Sequence, residues 1–308
     1  MLRRLTFMFI FLSGLFVNAQ TMAAALELQK VTKNVYDIVG PLTQRSPDNL
    51  GNNATFGFVI TNKGVVLIDS GGSYNGAQKI HQAIQSVTNK KIVLVINTGG
   101  QDHRWLGNDY FKQQGARIIA AKASIADQKK RVNQQLSFLD NLVGKKGMAN
   151  TREVYADESF VTKHEFNIGG EQFKLHNPGT AHTPGDTYVW LPKQKIVFSG
   201  DIVYVERILA VGSVSSSKGW IQSFKTIAEL KPSYIVPSHG HVTDLKQATA
   251  DTYNYLVELR QGVSILIDQG IGLDAVSRID QSKFSYLKFY NELYGRNAHQ
   301  VYQKMEWE

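Results

Sequence analysis

Hydrophobic positions along this chain recur with two periods, and their order limits the fold. Residues 34–39 alternate apolar and polar with period two, as a half-buried strand does. Residues 55–60 and 64–69 form two further strands joined by Thr61-Asn62-Lys63-Gly64, a strong hairpin signal. The second is almost wholly apolar, which suits a buried central position. Ala77, Ile80, Ala83, Ile84 and Val87 then fall at helical spacing and predict a helix of about four turns, returning to a strand over 91–96. A short helix through Tyr110 and Phe111 and a strand over 116–121 follow. Residues 122–150 are polar and helix-prone, with Leu136, Phe138, Leu139 and Leu142 as the apolar face.

The second half repeats the order. Residues 165–168 and 171–176 form a hairpin about Gly169-Gly170, and strands follow at 187–191 and 195–199. A helix begins at Gly219, a strand occupies 234–237, and Tyr255, Leu256, Leu259, Val263, Leu266 and Ile267 keep helical spacing beyond residue 248. Strands outnumber helices in each half, so the helices must cover the outer faces of two sheets. The expected fold is α/β with α+β character: a four-layer αββα sandwich with a C-terminal helical tail. Residues 26–247 make the main domain, and 248–308 a helical extension packed on it.

Composition changes this picture little. With 308 residues, 43% hydrophobic and 19% charged, a sizeable core is assured and extended disorder is excluded. The formal charge of +8 is scattered along the chain. It forms no basic stripe interleaved with aromatics, so nucleic acid is not an expected partner. The N-terminus says more. Met1-Leu2-Arg3-Arg4 followed by an apolar run over 5–17 and Val17-Asn18-Ala19 has the pattern of a secretory signal peptide over 1–19, too short for a spanning helix. The expected location is periplasmic or secreted, with no membrane association after cleavage. Cysteine is absent, so a metal site must be built from His, Asp and Glu.

Four loops at strand ends carry those residue types. The first, residues 96–108, stops an apolar strand at Gly99-Gly100 and continues as Gln101-Asp102-His103-Arg104-Trp105-Leu106-Gly107-Asn108. The others are Ala181-His182-Thr183-Pro184-Gly185-Asp186, Ser199-Gly200-Asp201 and Pro237-Ser238-His239-Gly240-His241. Loops at strand ends put ligands on a rigid edge.

Together with Asp69-Ser70-Gly71, these motifs resemble the metallo-β-lactamase superfamily over residues 31–245. The C-terminal residues 295–308 are further similar to periplasmic members near the sulfur-oxidation and quinoprotein-relay zinc metallohydrolases. The resemblance implies metals bound at one edge of the sandwich. The family loop reads His-x-His-x-Asp-His, and both histidines of its first pair are missing here. Keeping Asp102-His103 on the family's Asp-His, with a one-residue shift before Gly107-Asn108, retains two matched ligands and is the alignment we favour. The ungapped alternative puts His103 at the Asp and Arg104 at the last His.

Under the favoured alignment the resemblance implies metal ligands at Asp102, His103, His182, Asp201 and His239, and one zinc rather than two: Asp102, His103, Asp201 and His239 make a nearly intact site, and the other keeps only His182 and the shared Asp201. Asp102 and His182 would also be catalytic, His182 as a general base or a substrate-orienting group. Asp102 has a plainer reading as a helix N-cap. Asp69 would brace the site by hydrogen bonding. Arg104, if it points inward, replaces part of a lost metal's charge or holds an anion. Tyr204, Arg207 and Trp220 are candidates for the pocket wall. Two functions follow: a metal-dependent hydrolase of a small-molecule ester, lactam, thioester or phosphoester, or a binding or accessory protein with a decayed metal site.

Overall fold

The computed structural model describes residues 26–308, and the expected signal peptide lies outside them. Seven strands form the first sheet in chain order: β1 (Glu27–Thr32), β2 (Val35–Val39), β3 (Thr55–Thr61), β4 (Gly64–Ile68), β5 (Ile92–Asn97), β6 (Arg117–Ala121) and β7 (Glu158–Phe160). The first four pair antiparallel, and β4 to β7 run parallel. The second sheet holds β8 (Lys163–Ile168), β9 (Glu171–His176), β10 (Tyr188–Leu191), β11 (Ile196–Phe198) and β12 (Tyr234–Val236), in the order β12-β11-β10-β9-β8. Only its β11–β12 pair is parallel.

Strand alternation builds the four layers. On β4, Val66 and Ile68 face the second sheet, while Val65 and Leu67 face outward to Ala77, Ile80 and Ile84 of the helix Tyr74–Gln85. On β11, Ile196 and Phe198 join the core between the sheets, and Val197 turns to the other side. There it meets Trp220, Phe224 and Ile227 of the helix Ser217–Glu229 and Leu256, Leu259 and Val263 of the helix Asn254–Asp268. The sheets approach closely at Gly57, where an added Cβ would lie 2.2 Å from the Phe198 ring.

The terminal helix Tyr290–Met305 shares this last core through Ala298, Val301 and Tyr302, so one apolar cluster spans the main domain and the tail. Among the described residues no helix is long and apolar enough to cross a membrane.

Three local features differ from the pattern-based expectation. β1 and β7 lie outside it because one is a half-exposed edge strand and the other only three residues long. The helix Lys122–Leu142 buries Val132, Gln135 and Leu139, whereas Phe138 is 45% exposed at a cavity mouth. Gln135 takes an inward position because its amide bonds the Gly100 carbonyl and the Trp105 indole.

Asp37 on β2 is fully buried, and neither carboxylate oxygen has a hydrogen-bond partner among the described residues. Burial raises its pKa to about 7. The folded state therefore holds a proton that the unfolded chain, with a pKa of ~3.9, releases first, so stability falls as pH rises through that window. Asp37→Asn is expected to leave stability unchanged near pH 4 and to raise it at pH 8, on the order of 1–3 kcal/mol. Urea titrations at the two pH values check this; an equal effect at both would refute it.

Candidate functional site

The site forms where β4, β5, β11 and β12 end on one edge. β4 delivers Asp69, a non-glycine residue at φ +68°, a strained left-handed conformation. Its carboxylate accepts from the Thr98 backbone N–H at 2.7 Å, from the Thr98 hydroxyl, and from Arg104 Nη1 at 2.8 Å. β5 ends at Asn97, whose amide donates to the Arg104 carbonyl and to Asn108 Oδ1. Those bonds hold the short helix Asp102–Trp105 against the edge. β11 turns through Gly200 (φ +51°), where an added Cβ would meet Thr98 Oγ1 at 2.7 Å, and presents Asp201. β12 runs on to Ser238 and His239.

Arg104 sits at the centre of this constellation. It is 1% exposed, and its guanidinium reaches Asp69, Asp201 Oδ1 at 2.8 Å, Ser238 Oγ at 2.6 Å and the Thr55 carbonyl at 3.2 Å. Burial works against the charge on Arg104, but Asp201 and Asp69 outweigh it and raise the pKa. Burial likewise opposes the charge on Asp201, yet Arg104 and then His103 hold its carboxyl well below the usual range. The neighbouring Asp186 is raised well above it, by burial and then by the charge on Asp201. Asp69 is pushed up to about 6, burial being only partly offset by Arg104.

His103, Asp201 and His239 each place one ligand atom within 4.8 Å of the other two, and all three are buried. Burial lowers the pKa of His103 to about 4 and that of His239 well below the ordinary value, so both imidazoles are neutral at pH 7. Asp201 Oδ2 is buried with no hydrogen-bond partner among the described residues. A neutral His, a neutral His and a carboxylate with one free oxygen make a donor set that fits a single divalent cation such as Zn²⁺, with a coordination position left open.

The other expected ligands are placed differently. The Asp102 carboxylate turns away to Arg45, which donates to Oδ1 at 2.6 and 3.1 Å. Burial raises the Asp102 pKa, but Arg45 and His103 outweigh it and leave the carboxyl lowered. Asp102 is thus a buried ion-pair partner lining the cavity rather than a member of the cluster. The two side chains that face Asp201 from this loop are His103 and Arg104, the pair that the ungapped alignment places there. His182 is also outside the cluster, with its ring 5.4 Å from Trp220 and 6.1 Å from Tyr204. Its Nδ1 is buried without a partner, and burial lowers its pKa. It lines the same cavity of about 560 Å³ as His103 and His239.

The surroundings of both candidate ligand rings are unusual. Arg45 Nη2 lies 3.0 Å from His103 Nδ1, and Arg207 Nη1 lies 3.2 Å from His239 Nδ1. Arginine only donates, so in this arrangement each Nδ1 accepts and the ring hydrogen sits on Nε2. A metal-bound imidazole ordinarily donates its second nitrogen's hydrogen to an acceptor. For His103 an acceptor, Asp102 Oδ1, lies 3.5 Å from Nδ1, but Arg45 Nη2 has to move off that nitrogen first. For His239, Arg207 has to turn aside before either ring nitrogen takes a metal.

Arg45 gave no sequence signal as a site residue: it is a lone cation in a polar loop, and the residues it contacts lie 57 and 58 positions away. Ser238 stood in one of the four loops, but nothing in its residue type marked it as a partner of Arg104 and Asp201.

Residues 51–239 match the metallo-beta-lactamase superfamily, and the chain belongs to it. Most members of that superfamily are metal-dependent hydrolases. Among individual relatives, the chain is 26% identical over 208 residues to "Metallo-beta-lactamase type 2" of Elizabethkingia meningoseptica, covering 66% of this chain and 75% of the relative. It is 26% identical over 197 residues to "Metallo-beta-lactamase IND-1" of Chryseobacterium indologenes, covering 60% and 73%. The fold is similar to that of a metallo-beta-lactamase from Pontibacter korlensis, with TM-score 0.61, 22% identity, and coverage of 75% of this chain and 99% of that one. It is also similar to that of the sec-alkylsulfatase Pisa1 from Pseudomonas sp., with TM-score 0.70 and 13% identity. That likeness covers 91% of this chain and 50% of the sulfatase, so it extends into the C-terminal helices.

Proposed function

We propose that this protein is an exported hydrolase, periplasmic or secreted, that uses one zinc ion held by His103, Asp201 and His239 to cleave a small-molecule ester, lactam, thioester or phosphoester. The observation that carries this reading is the free Asp201 Oδ2 beside two neutral buried imidazoles, both of which line a cavity. A divalent cation there supplies Lewis acidity and water activation near neutral pH.

The chain's own residues do the rest. Arg104 and Ser238 pin Asp201 Oδ1, which keeps the carboxylate charged and aimed. Arg104 also supplies, in covalent form, positive charge that a second cation would otherwise bring to Asp201. That accords with a loop lacking both histidines of the family's first pair. His182, neutral and with Nδ1 free, can accept a proton at the cavity wall.

A second reading has its own support. The arginine donors on Nδ1 of His103 and His239 suit a metal-free binding protein better than a metal centre. Metal content decides between them. After dialysis against micromolar zinc and gel filtration, mass spectrometry is expected to find one zinc per chain. Finding none would sink the hydrolase reading and leave the binding protein.

A further inference from the structure

We infer that the cavity binds an amphipathic organic anion, with its charged head on Arg207 and its apolar part against Phe289, Leu293 and Phe138. This assigns a ligand class to the cavity of the cation-free protein, in which Arg207 rests on His239.

Arginines at the cavity differ in how much of their charge is already matched. Arg45 is committed to Asp102, and Arg131 pairs with Asp127. Arg207 is different. It is 5% exposed and lines the cavity, yet among the described residues no carboxylate lies within ion-pair distance of it. Its hydrogen-bond contact is Nη1 to His239 Nδ1, and its buried Nε has no partner. A guanidinium taken out of water without a counter-charge is strongly disfavoured. An anion from solution offsets that cost and adds charge-assisted, bidentate hydrogen bonds.

The guanidinium is also pre-positioned. Its central carbon lies 4.8 Å from the Phe289 ring centroid. Residue 207 pairs with residue 288 through Ile208 N–H to the Lys288 carbonyl and Lys288 N–H to the Glu206 carbonyl. Phe289 itself takes a left-handed conformation (φ +62°) to start the terminal helix, which brings Leu293 and the exposed Arg296 to the cavity wall. Phe138, a phenylalanine nearly half exposed, also lines the cavity, as expected of a side chain that covers an apolar ligand. A guanidinium without a carboxylate and apolar side chains in one cavity together select an anion with a tail, not a bare inorganic ion.

Calorimetric titration of the purified protein in EDTA, with hexylphosphonate as the probe, tests this. The carbon–phosphorus bond resists hydrolysis, so binding is read separately from any hydrolase activity. Saturable binding is expected, weakened about tenfold or more in Arg207→Met. Neutral 1-hexanol is expected not to bind, and inorganic phosphate to bind more weakly because it leaves the apolar wall uncovered. Arg207→Lys, which keeps the charge but loses the planar fork, decides the matter if the methionine variant does not fold; several-fold weakening is expected of it. The inference is overturned if the protein does not bind hexylphosphonate at millimolar concentration or if 1-hexanol binds as well. It is equally overturned if the folded Arg207 variant binds like the parent.

Discussion

Arg104→Met is expected to destabilise the protein by about 3–5 kcal/mol, the cost of removing one partner from a buried ion-pair cluster. The methionine fills much of the volume but leaves Asp69 and Asp201 buried without the counter-charge they share. Both lose a donor at 2.8 Å, and Ser238 and the Thr55 carbonyl lose theirs. Asp69 adds to the cost because its left-handed backbone is held in part by the bond to Arg104. The loss has a defined pH dependence. Without the guanidinium both carboxyls titrate at higher pH than in the parent, where Asp69 already stands at about 6. Protonation then neutralises the unpaired charge, so the deficit is expected to be smaller at pH 5 than at pH 8. Urea unfolding at both values measures it. A loss under about 1 kcal/mol would mean that the cluster contributes no more than a surface pair.

The second large effect concerns His239. His239→Ala is expected to lower zinc affinity at least ~100-fold, since loss of a ligand exceeds the 10–100-fold typical when only a ligand's supporting hydrogen bond is lost. Metal content after gel filtration is expected to fall from one zinc per chain to a trace. His241→Ala is the matched control. That imidazole is exposed and reaches Glu206 and Glu27 rather than the cluster, so metal content is expected to stay at the parent level. Equal zinc retention by the two variants would place the metal elsewhere. Equal loss by both would point to a general unfolding effect, which circular dichroism of the two proteins separates.

The layers of the fold were legible in the chain because alternation is a local property. On β4, consecutive residues face opposite cores, and that is visible in the order Val65-Val66-Leu67-Ile68. The helix Tyr74–Gln85 was equally plain from Ala77, Ile80 and Ile84. The candidate ligands His103, Asp201 and His239 were legible as well, because each follows a strand end in a recognisable loop.

Direction was not legible. Asp102 and His103 are neighbours, and no pattern says which of them enters the site. The helical turn at 102–105 aims His103 and Arg104 at Asp201, and Arg45, 57 residues earlier, holds the buried Asp102 carboxylate in an ion pair. His182 was expected as a ligand on the strength of its loop, yet its ring packs on Trp220 and Tyr204, and its distance from the cluster is a matter of packing. Arg207 read as one of several wall residues; its lack of a carboxylate is a property of its neighbours.

The sequence by itself determined the family, the four layers and the set of His and Asp residues at one edge, since each depends on residue type and local spacing. Only the tertiary structure decided where the positive charge lies. Arg104 on Asp69 and Asp201, Arg45 on Asp102 and His103, and Arg207 on His239 are all contacts between strand ends and loops far apart in the chain. Charge in a dry interior is governed by what it touches, and those contacts exist only once the sheets have closed.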